Sequence, residues 1–274
     1  SIQPSSSLIY MPFWEWQFDF MTKELTNLRA IPVEEKFLYN ENANKQARIV
    51  NKCFRSEEYY KIRMSYYDAG DGCQVFSSLW YPDTKYNLPI LGVSLFAFGR
   101  NKFLVCIDFQ PIHDQEEKHA ILFQRMLAPV KESYPSLKGK MSSKVYGDSS
   151  IFFSNEMLYG RFEDESFLKE EHVLDAFQKY AQMHVQLVRD CPENAAAQDE
   201  VLARYTAYDT YFAEREAVGG VLTAVFGKQW VHEYIHNFLF PMSVVKVEEL
   251  ASSHAFGNTN ATSRHIFSNI IASK

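Results

Sequence analysis

The chain has 274 residues, with 28 Lys and Arg against 34 Asp and Glu, and 46% of its residues are hydrophobic. These proportions exclude disordered and fibrous classes, and the net charge of −6 argues against a nucleic-acid binder. Aromatic residues make up 15% of the chain, which predicts either a heavily aromatic core or a site for a large flat ligand. Composition leaves both explanations open.

Cellular location has only indirect signals. No run of 18 apolar residues is present, so no transmembrane helix is predicted. The first residues lack the basic segment that opens a signal peptide, and the chain begins without Met, which is compatible with removal of a targeting segment. The four cysteines are far apart in sequence and form no metal or disulfide pattern, which favours a reducing compartment.

The first pattern in chain order is a stripe of basic residues. Lys45, Arg48, Lys52 and Arg55 recur at spacings of three, four and three, which would place them on one face of a helix within residues 43–63. A solvated helix face is the ordinary explanation. A docking surface for an acidic partner is the alternative.

Residues 74–110 carry the clearest strand pattern. Three apolar runs are joined by short connections with turn residues, which predicts antiparallel hairpins, and the last two runs are apolar on both faces. Strands are predicted at 74–81, 89–98, 102–110, 151–153 and 157–162, and helices at 21–27, 116–131, 167–189, 194–212 and 228–238. We therefore expect an α/β fold, a three-layer α/β/α sandwich with a central antiparallel sheet covered by helices on both faces. One domain is predicted over residues 1–274, with flexible tails at 1–20 and 252–274.

Common cofactor and hydrolase motifs are missing from the sequence, which has no GxGxxG after a strand, no GxxxxGK[ST] and no GxSxG. His232 to His236 do match HExxH, which on a helix would present two imidazoles to zinc. The metzincin continuation fails at Leu239 and Met242, and Pro241 ends the helix soon after His236. We therefore predict no metal site.

Two aspartates in apolar surroundings are candidate proton donors. Asp108 shares a strand face with Leu104 and Cys106, and its burial would raise its pKa by desolvation. A structural aspartate that bonds a nearby turn explains the same strand equally well. Asp209 lies beside Tyr205 on a predicted helix, where a boundary or capping role is the alternative. Two such acids suggest paired donors that face one cavity.

Several segments resemble the core of the ferredoxin-dependent bilin reductases. They are residues 81–92, 104–111, 205–213 and 233–241, with weaker similarity at 146–148 and 158–162. The resemblance extends over roughly residues 59–245, and the phycoerythrobilin:ferredoxin oxidoreductase branch of the family is the most similar. This resemblance implies an α/β/α sandwich that holds a bilin between its sheet and helices.

The resemblance also implies a reaction and its residues. A linear tetrapyrrole would be reduced through radicals by electrons from reduced [2Fe-2S] ferredoxin, without a bound cofactor. Asp108 and Asp209 correspond to the family's proton donors, and Arg161 to a residue that binds a substrate propionate. Asn87 stands at a substrate-side position where relatives often carry Asp. The expected reaction is 15,16-dihydrobiliverdin to phycoerythrobilin, and the alternative is biliverdin to 15,16-dihydrobiliverdin. Less favoured are a bilin-binding protein without turnover and a zinc peptidase.

The resemblance implies partners as well. Because ferredoxins are acidic, a chain of net charge −6 needs a local positive surface. The basic stripe is one candidate surface, and Lys138, Lys140 and Lys144 form another. We expect a monomer that takes up its bilin and can pass the product to a neighbouring bilin reductase or lyase. The expected compartment is the plastid stroma, with a cyanobacterial cytoplasm as the alternative.

Overall fold

The protein is represented by a computed structural model that describes residues 7–112, 117–141, 151–216 and 219–244. The chain divides into two compact units. The first contains Ser1–Lys140 and Ser150–Val201, and the second contains Met141–Ser149 and Leu202–Lys274. No helix of the described ranges is both long and apolar enough to cross a membrane.

The first unit is built on an eight-stranded sheet in which every pairing between named strands is antiparallel. The strands are β1 Arg29–Ala30, β2 Tyr39–Asn42, β3 Ala47–Arg55, β4 Tyr59–Asp68, β5 Cys73–Pro82, β6 Ile90–Phe98, β7 Phe103–Gln110 and β8 Leu158–Phe162. Their order is β1-β3-β4-β5-β6-β7-β8, and β2 also pairs with β3. The predicted α/β class with an antiparallel sheet is confirmed, whereas residues 151–153 form no strand.

The helices of the first unit are α1 Met11–Glu24, α2 Glu35–Leu38, α3 Glu117–Lys131, α4 Phe167–Glu170 and α5 Val173–Asp190. The predicted helix 167–189 is interrupted because His172 adopts a left-handed backbone conformation with φ of 54°. The predicted helix at 116–131 is α3. Helix α1 covers residues 11–20, where a flexible tail was expected, and the expected tail at 252–274 lies outside the described residues.

One face of the sheet carries an aromatic core, which we call the apolar face. Phe13 of α1 packs against Phe76 of β5 and Phe177 of α5, with ring centroids 6.3 and 5.8 Å apart. Phe109 of β7 meets Phe123 of α3 and is itself fully buried. Much of the aromatic excess is therefore packing between this face and helices α1, α3 and α5.

The prediction that the basic stripe lies on one face of a helix is wrong, because residues 47–55 form strand β3. Alternation along a strand places Arg48 and Lys52 on one face and Arg55 on the other. Arg48 pairs with Asp68, with 3.0 Å between Nε and Oδ2. The spacing of three, four and three therefore has no helical meaning here, and it creates no continuous basic face.

The helices assigned to the second unit follow one another closely along the chain. Helix α6 covers Gln198–Glu214 and begins in the last residues of the first unit, and α7 covers Gly219–Phe226. Helix α8, Lys228–Glu233, continues directly as a π-helix over Tyr234–Leu239. The predicted helices 194–212 and 228–238 thus correspond to a 3₁₀ turn with α6 and to α8 with this π-helix.

Candidate active site

Asp108 lies on the face of the sheet opposite the aromatic core, which we call the acid face. Its neighbours along β7, Ile107 and Phe109, are part of the apolar core, and side chains alternate between faces along a strand. Cross-strand register places Arg63, Leu79, Gly92 and Asp108 opposite one another in turn. These residues form one row across four strands, roughly 14 Å from end to end at about 4.8 Å per strand. We call them the cross-strand row.

The Asp108 carboxyl is almost completely buried, with 1% of the residue exposed. The Ser154 backbone N–H donates to Oδ2 at 2.8 Å, and the Ser154 hydroxyl donates to Oδ1. Burial raises the pKa of Asp108 to about 8, although both hydrogen bonds favour the ionised form. The predicted burial and raised pKa are confirmed. Asp108 therefore carries a proton at neutral pH that it could transfer to a bound molecule.

Ser154 is not among the predicted site residues, and its loop is held by two helices. The Ser154 Oγ accepts the backbone N–H of Glu156 at 3.1 Å, and the Glu156 carbonyl accepts the Tyr180 hydroxyl of α5 at 2.7 Å. Lys131 of α3 donates to the Asn155 carbonyl at 3.0 Å. These contacts fix the loop, and the loop in turn orients the Asp108 carboxyl. Asp108 thus bonds a turn, but this turn contains Ser154, 46 positions along the chain, and is not the nearby turn that was predicted.

Asp209 belongs to the second unit and lies within α6. It is fully buried, and its Oδ2 accepts the backbone N–H of Met242 at 3.1 Å. Its predicted aromatic surroundings are confirmed, because Tyr205 and Tyr208 are buried and the Tyr208 ring lies 4.5 Å from that of Phe212. The alternative that Asp209 caps a helix end is wrong, since α6 continues to Glu214. The predicted pairing of Asp209 with Asp108 around one cavity stays a prediction.

The two predicted substrate-binding residues occupy different places in the first unit. Arg161 is exposed on β8 and lies opposite Leu104, which puts it on the acid face. It is four residues along the ladder from Asp108, or roughly 14 Å at about 3.4 Å per residue. Asn87 is half-buried in the connection between β5 and β6. Their roles toward a substrate stay predictions.

Two buried cations on the acid face were also missed. Arg63 is 2% exposed and lies in the cross-strand row, and Lys61 is 8% exposed with its ammonium 4.5 Å from the centre of the Tyr81 ring. The sequence does contain a signal for them. Lys61, Arg63 and Ser65 alternate with apolar residues, which indicates a strand with one polar face. The acid face therefore offers positive charge as well as a proton.

The HExxH residues show no metal-binding arrangement. The His232 and His236 rings lie 4.7 Å apart, and His236 Nδ1 is 3.0 Å from the Ser243 hydroxyl. The helix changes from α to π at Tyr234, between the two histidines. Among the residues that the structure describes, no three His, Cys, Asp or Glu side chains form a group that could hold a metal ion.

Comparisons with known proteins agree on one family. The family model for ferredoxin-dependent bilin reductases matches residues 19–241. A 15,16-dihydrobiliverdin:ferredoxin oxidoreductase of Nostoc punctiforme is 32% identical over 246 residues, which cover 86% of this chain and 96% of the relative. The Gloeobacter violaceus enzyme of the same name is 30% identical over 243 residues, with the same coverage.

A solved structure shows the same fold. Phytochromobilin synthase from tomato, crystallised in complex with biliverdin, superposes with a TM-score of 0.75 and covers 92% of each chain at 20% sequence identity. At this identity the likeness supports the architecture of the sheet and helices.

Proposed function

Because the chain belongs to the ferredoxin-dependent bilin reductase family, we propose that it reduces biliverdin to 15,16-dihydrobiliverdin with electrons from ferredoxin. In a donor:acceptor name the first compound is the reduced member of its pair. The relatives' shared name therefore makes 15,16-dihydrobiliverdin the bilin product when ferredoxin supplies electrons. This supports the alternative that sequence analysis placed second, ahead of phycoerythrobilin formation.

The reaction adds two electrons and two protons across the C15–C16 double bond. Two reduced ferredoxins each give one electron and become oxidised, and two C–H bonds form on the bilin. A protonated carboxyl that has little contact with water is suited to supply one of the protons. The observation that carries the proposal is the buried Asp108, whose pKa is about 8, on the acid face of this fold.

Asp209 is proposed as the second proton donor, because it too is fully buried, among aromatic side chains. Arg161 and Arg63 supply positive charge on the acid face for the propionates of a bilin. Radical intermediates follow from the one-electron donor and belong to the same proposal. The plastid stroma, or a cyanobacterial cytoplasm, stays the predicted compartment.

Purified protein with reduced ferredoxin and one bilin at a time tests the reaction. We expect biliverdin to be consumed and 15,16-dihydrobiliverdin to accumulate, as measured by absorbance and product chromatography under anaerobic conditions. If 15,16-dihydrobiliverdin is instead converted to phycoerythrobilin, the first expectation of the sequence analysis is correct. If neither bilin changes, both assignments are wrong.

Two variants separate an enzyme from a bilin carrier. Asp108→Asn and Asp209→Asn should still bind biliverdin but reduce it roughly 10²- to 10⁴-fold more slowly, as expected for loss of a general acid. Asp71→Asn is the matched control, since Asp71 is exposed and pairs with Arg100 on the surface. A carrier would show no reduction in any variant, and equal rates in all variants would remove both acids from the mechanism.

A further inference from the structure

The Gln110 side chain lies over Gly92 on the acid face. A Cβ atom built on Gly92 would overlap the Gln110 Oε1 and lie 2.8 Å from its Cδ. Gln110 is two residues beyond Asp108 on β7 and is only 5% exposed. Its side chain therefore reaches diagonally across to β6 and occupies the space that any side chain at position 92 would fill.

This position puts the carboxamide beside the proton donor. Gly92 is the direct cross-strand partner of Asp108, and opposite Cβ positions in an antiparallel pair are about 5 Å apart. The Gln110 amide thus lies roughly one cross-strand spacing from the Asp108 side chain. The Asp108 carboxyl and the Gln110 carboxamide are therefore neighbours on the acid face, where position 92 has no side chain.

A carboxamide has one acceptor oxygen and an NH₂ donor. A lactam presents a C=O and an N–H side by side, so the two groups can exchange a pair of hydrogen bonds. Both terminal rings of a bilin are lactams. The inference therefore rests on the proposed function for the identity of the ligand, whereas the placement of the amide follows from the sheet alone.

We propose that the Gln110 carboxamide positions the substrate by pairing with a terminal lactam of the bilin, and that position 92 is glycine because this carboxamide occupies its space. The lactam is then held next to Asp108, on the same face of the sheet. Neither residue was singled out by sequence analysis, because their contact depends on the register of β6 and β7.

Titration of biliverdin without ferredoxin, followed by the absorbance of the bound bilin, tests this proposal. Gln110→Leu keeps the approximate volume but cannot hydrogen-bond. We expect its Kd to rise roughly 5- to 50-fold, as for the loss of two neutral hydrogen bonds. Gly92→Ala should raise the Kd to a similar extent. The amide is the flexible end of a side chain, so the methyl group added by Gly92→Ala should displace it and leave the sheet folded.

The link between the two residues is tested by a double-mutant cycle. In a Gln110→Ala background the space beside position 92 is empty, so adding Gly92→Ala should change the Kd by less than about twofold. Gly160→Ala is the matched control, because its Cβ would meet Phe162 and Leu137, away from Gln110. That variant should lose stability and keep the wild-type Kd.

The outcomes are distinct. A folded Gln110→Leu protein with a wild-type Kd overturns the proposal, as does a Gly160→Ala protein whose Kd rises equally. If Gln110→Leu does not fold, Gly92→Ala and the double variant decide by the same criterion. Wild-type protein that binds biliverdin but does not reduce it would overturn the proposed function alone. Normal reduction with unchanged binding in Gln110→Leu would overturn this inference alone.

Discussion

Replacing Ser154 with Ala removes one of the two hydrogen bonds that Asp108 accepts from this residue. The hydroxyl donor to Oδ1 is lost, and the backbone N–H donor to Oδ2 at 2.8 Å remains. A hydrogen bond to a charged group contributes about 1.5 to 3 kcal/mol, and one pH unit corresponds to about 1.4 kcal/mol. We therefore expect the pKa of Asp108 to rise from about 8 by roughly one to two pH units in Ser154→Ala.

The sign of the effect on activity follows from the role of Asp108. The protonated carboxyl is the active form, so the rate of bilin reduction should fall as the pH rises through its pKa. In Ser154→Ala this basic limb should move upward by roughly one to two pH units. The assay is the initial rate of reduction, with ferredoxin kept reduced, between pH 6 and 10.

Ser136→Ala provides the control, because the Ser136 hydroxyl is buried and has no hydrogen-bond partner among the described residues. Its pH profile should match that of the wild type. A basic limb that stays in place in Ser154→Ala would refute the reasoning. A limb that persists in Asp108→Asn would show that another group controls the rate.

Three further outcomes are expected from other parts of the first unit. His184 is buried and neutral, and burial lowers its pKa to about 4, so the unfolded chain takes up its proton first on acidification. In denaturant titrations the free energy of unfolding of the wild type should exceed that of His184→Gln by about 2 kcal/mol less at pH 5 than at pH 7. The same difference at both pH values would contradict this. Phe13→Ala should lower the free energy of unfolding by about 3 to 5 kcal/mol, since the Phe13 ring packs against Phe76 and Phe177. A loss below about 1 kcal/mol would show that α1 is not part of the core. The double variant Lys138→Glu and Lys140→Glu should raise the apparent KM for ferredoxin and weaken its salt dependence, because both lysines are exposed. Unchanged kinetics would exclude this surface, whose third member, Lys144, lies outside the described residues.

The sequence was sufficient to predict an element of the fold where one local pattern of apolar and turn residues dominated. The strands at 74–81, 89–98 and 102–110 were predicted because short apolar runs alternate with turn residues, and all three are present as β5, β6 and β7. The burial of Asp108 followed from the same pattern, since a residue inside a two-sided apolar strand has no access to water.

Prediction from the sequence failed where the structure depends on contacts between residues that are far apart along the chain. Ser154 is 46 positions from the carboxyl it binds, and no local pattern indicates that contact. Gln110 and Gly92 meet only because β6 and β7 pair in one particular register. Strand β3 was predicted as a helix because the spacing of its basic residues imitates helical period, while its pairing with β2 and β4 fixes it as a strand. Tertiary pairing decides such segments.

The two faces of the sheet explain how one layer serves both stability and chemistry. A buried carboxyl with a raised pKa costs stability whenever it ionises, and the buried guanidinium of Arg63 adds a desolvation cost on the same face. The apolar face offsets these costs, since side chains such as Trp80, Phe76 and Phe109 are fully buried there. Substitutions on that face should therefore change the free energy of unfolding without moving the pH profile of reduction. Substitutions on the acid face should move the profile, and this separation ties the high aromatic content to the reactivity of Asp108.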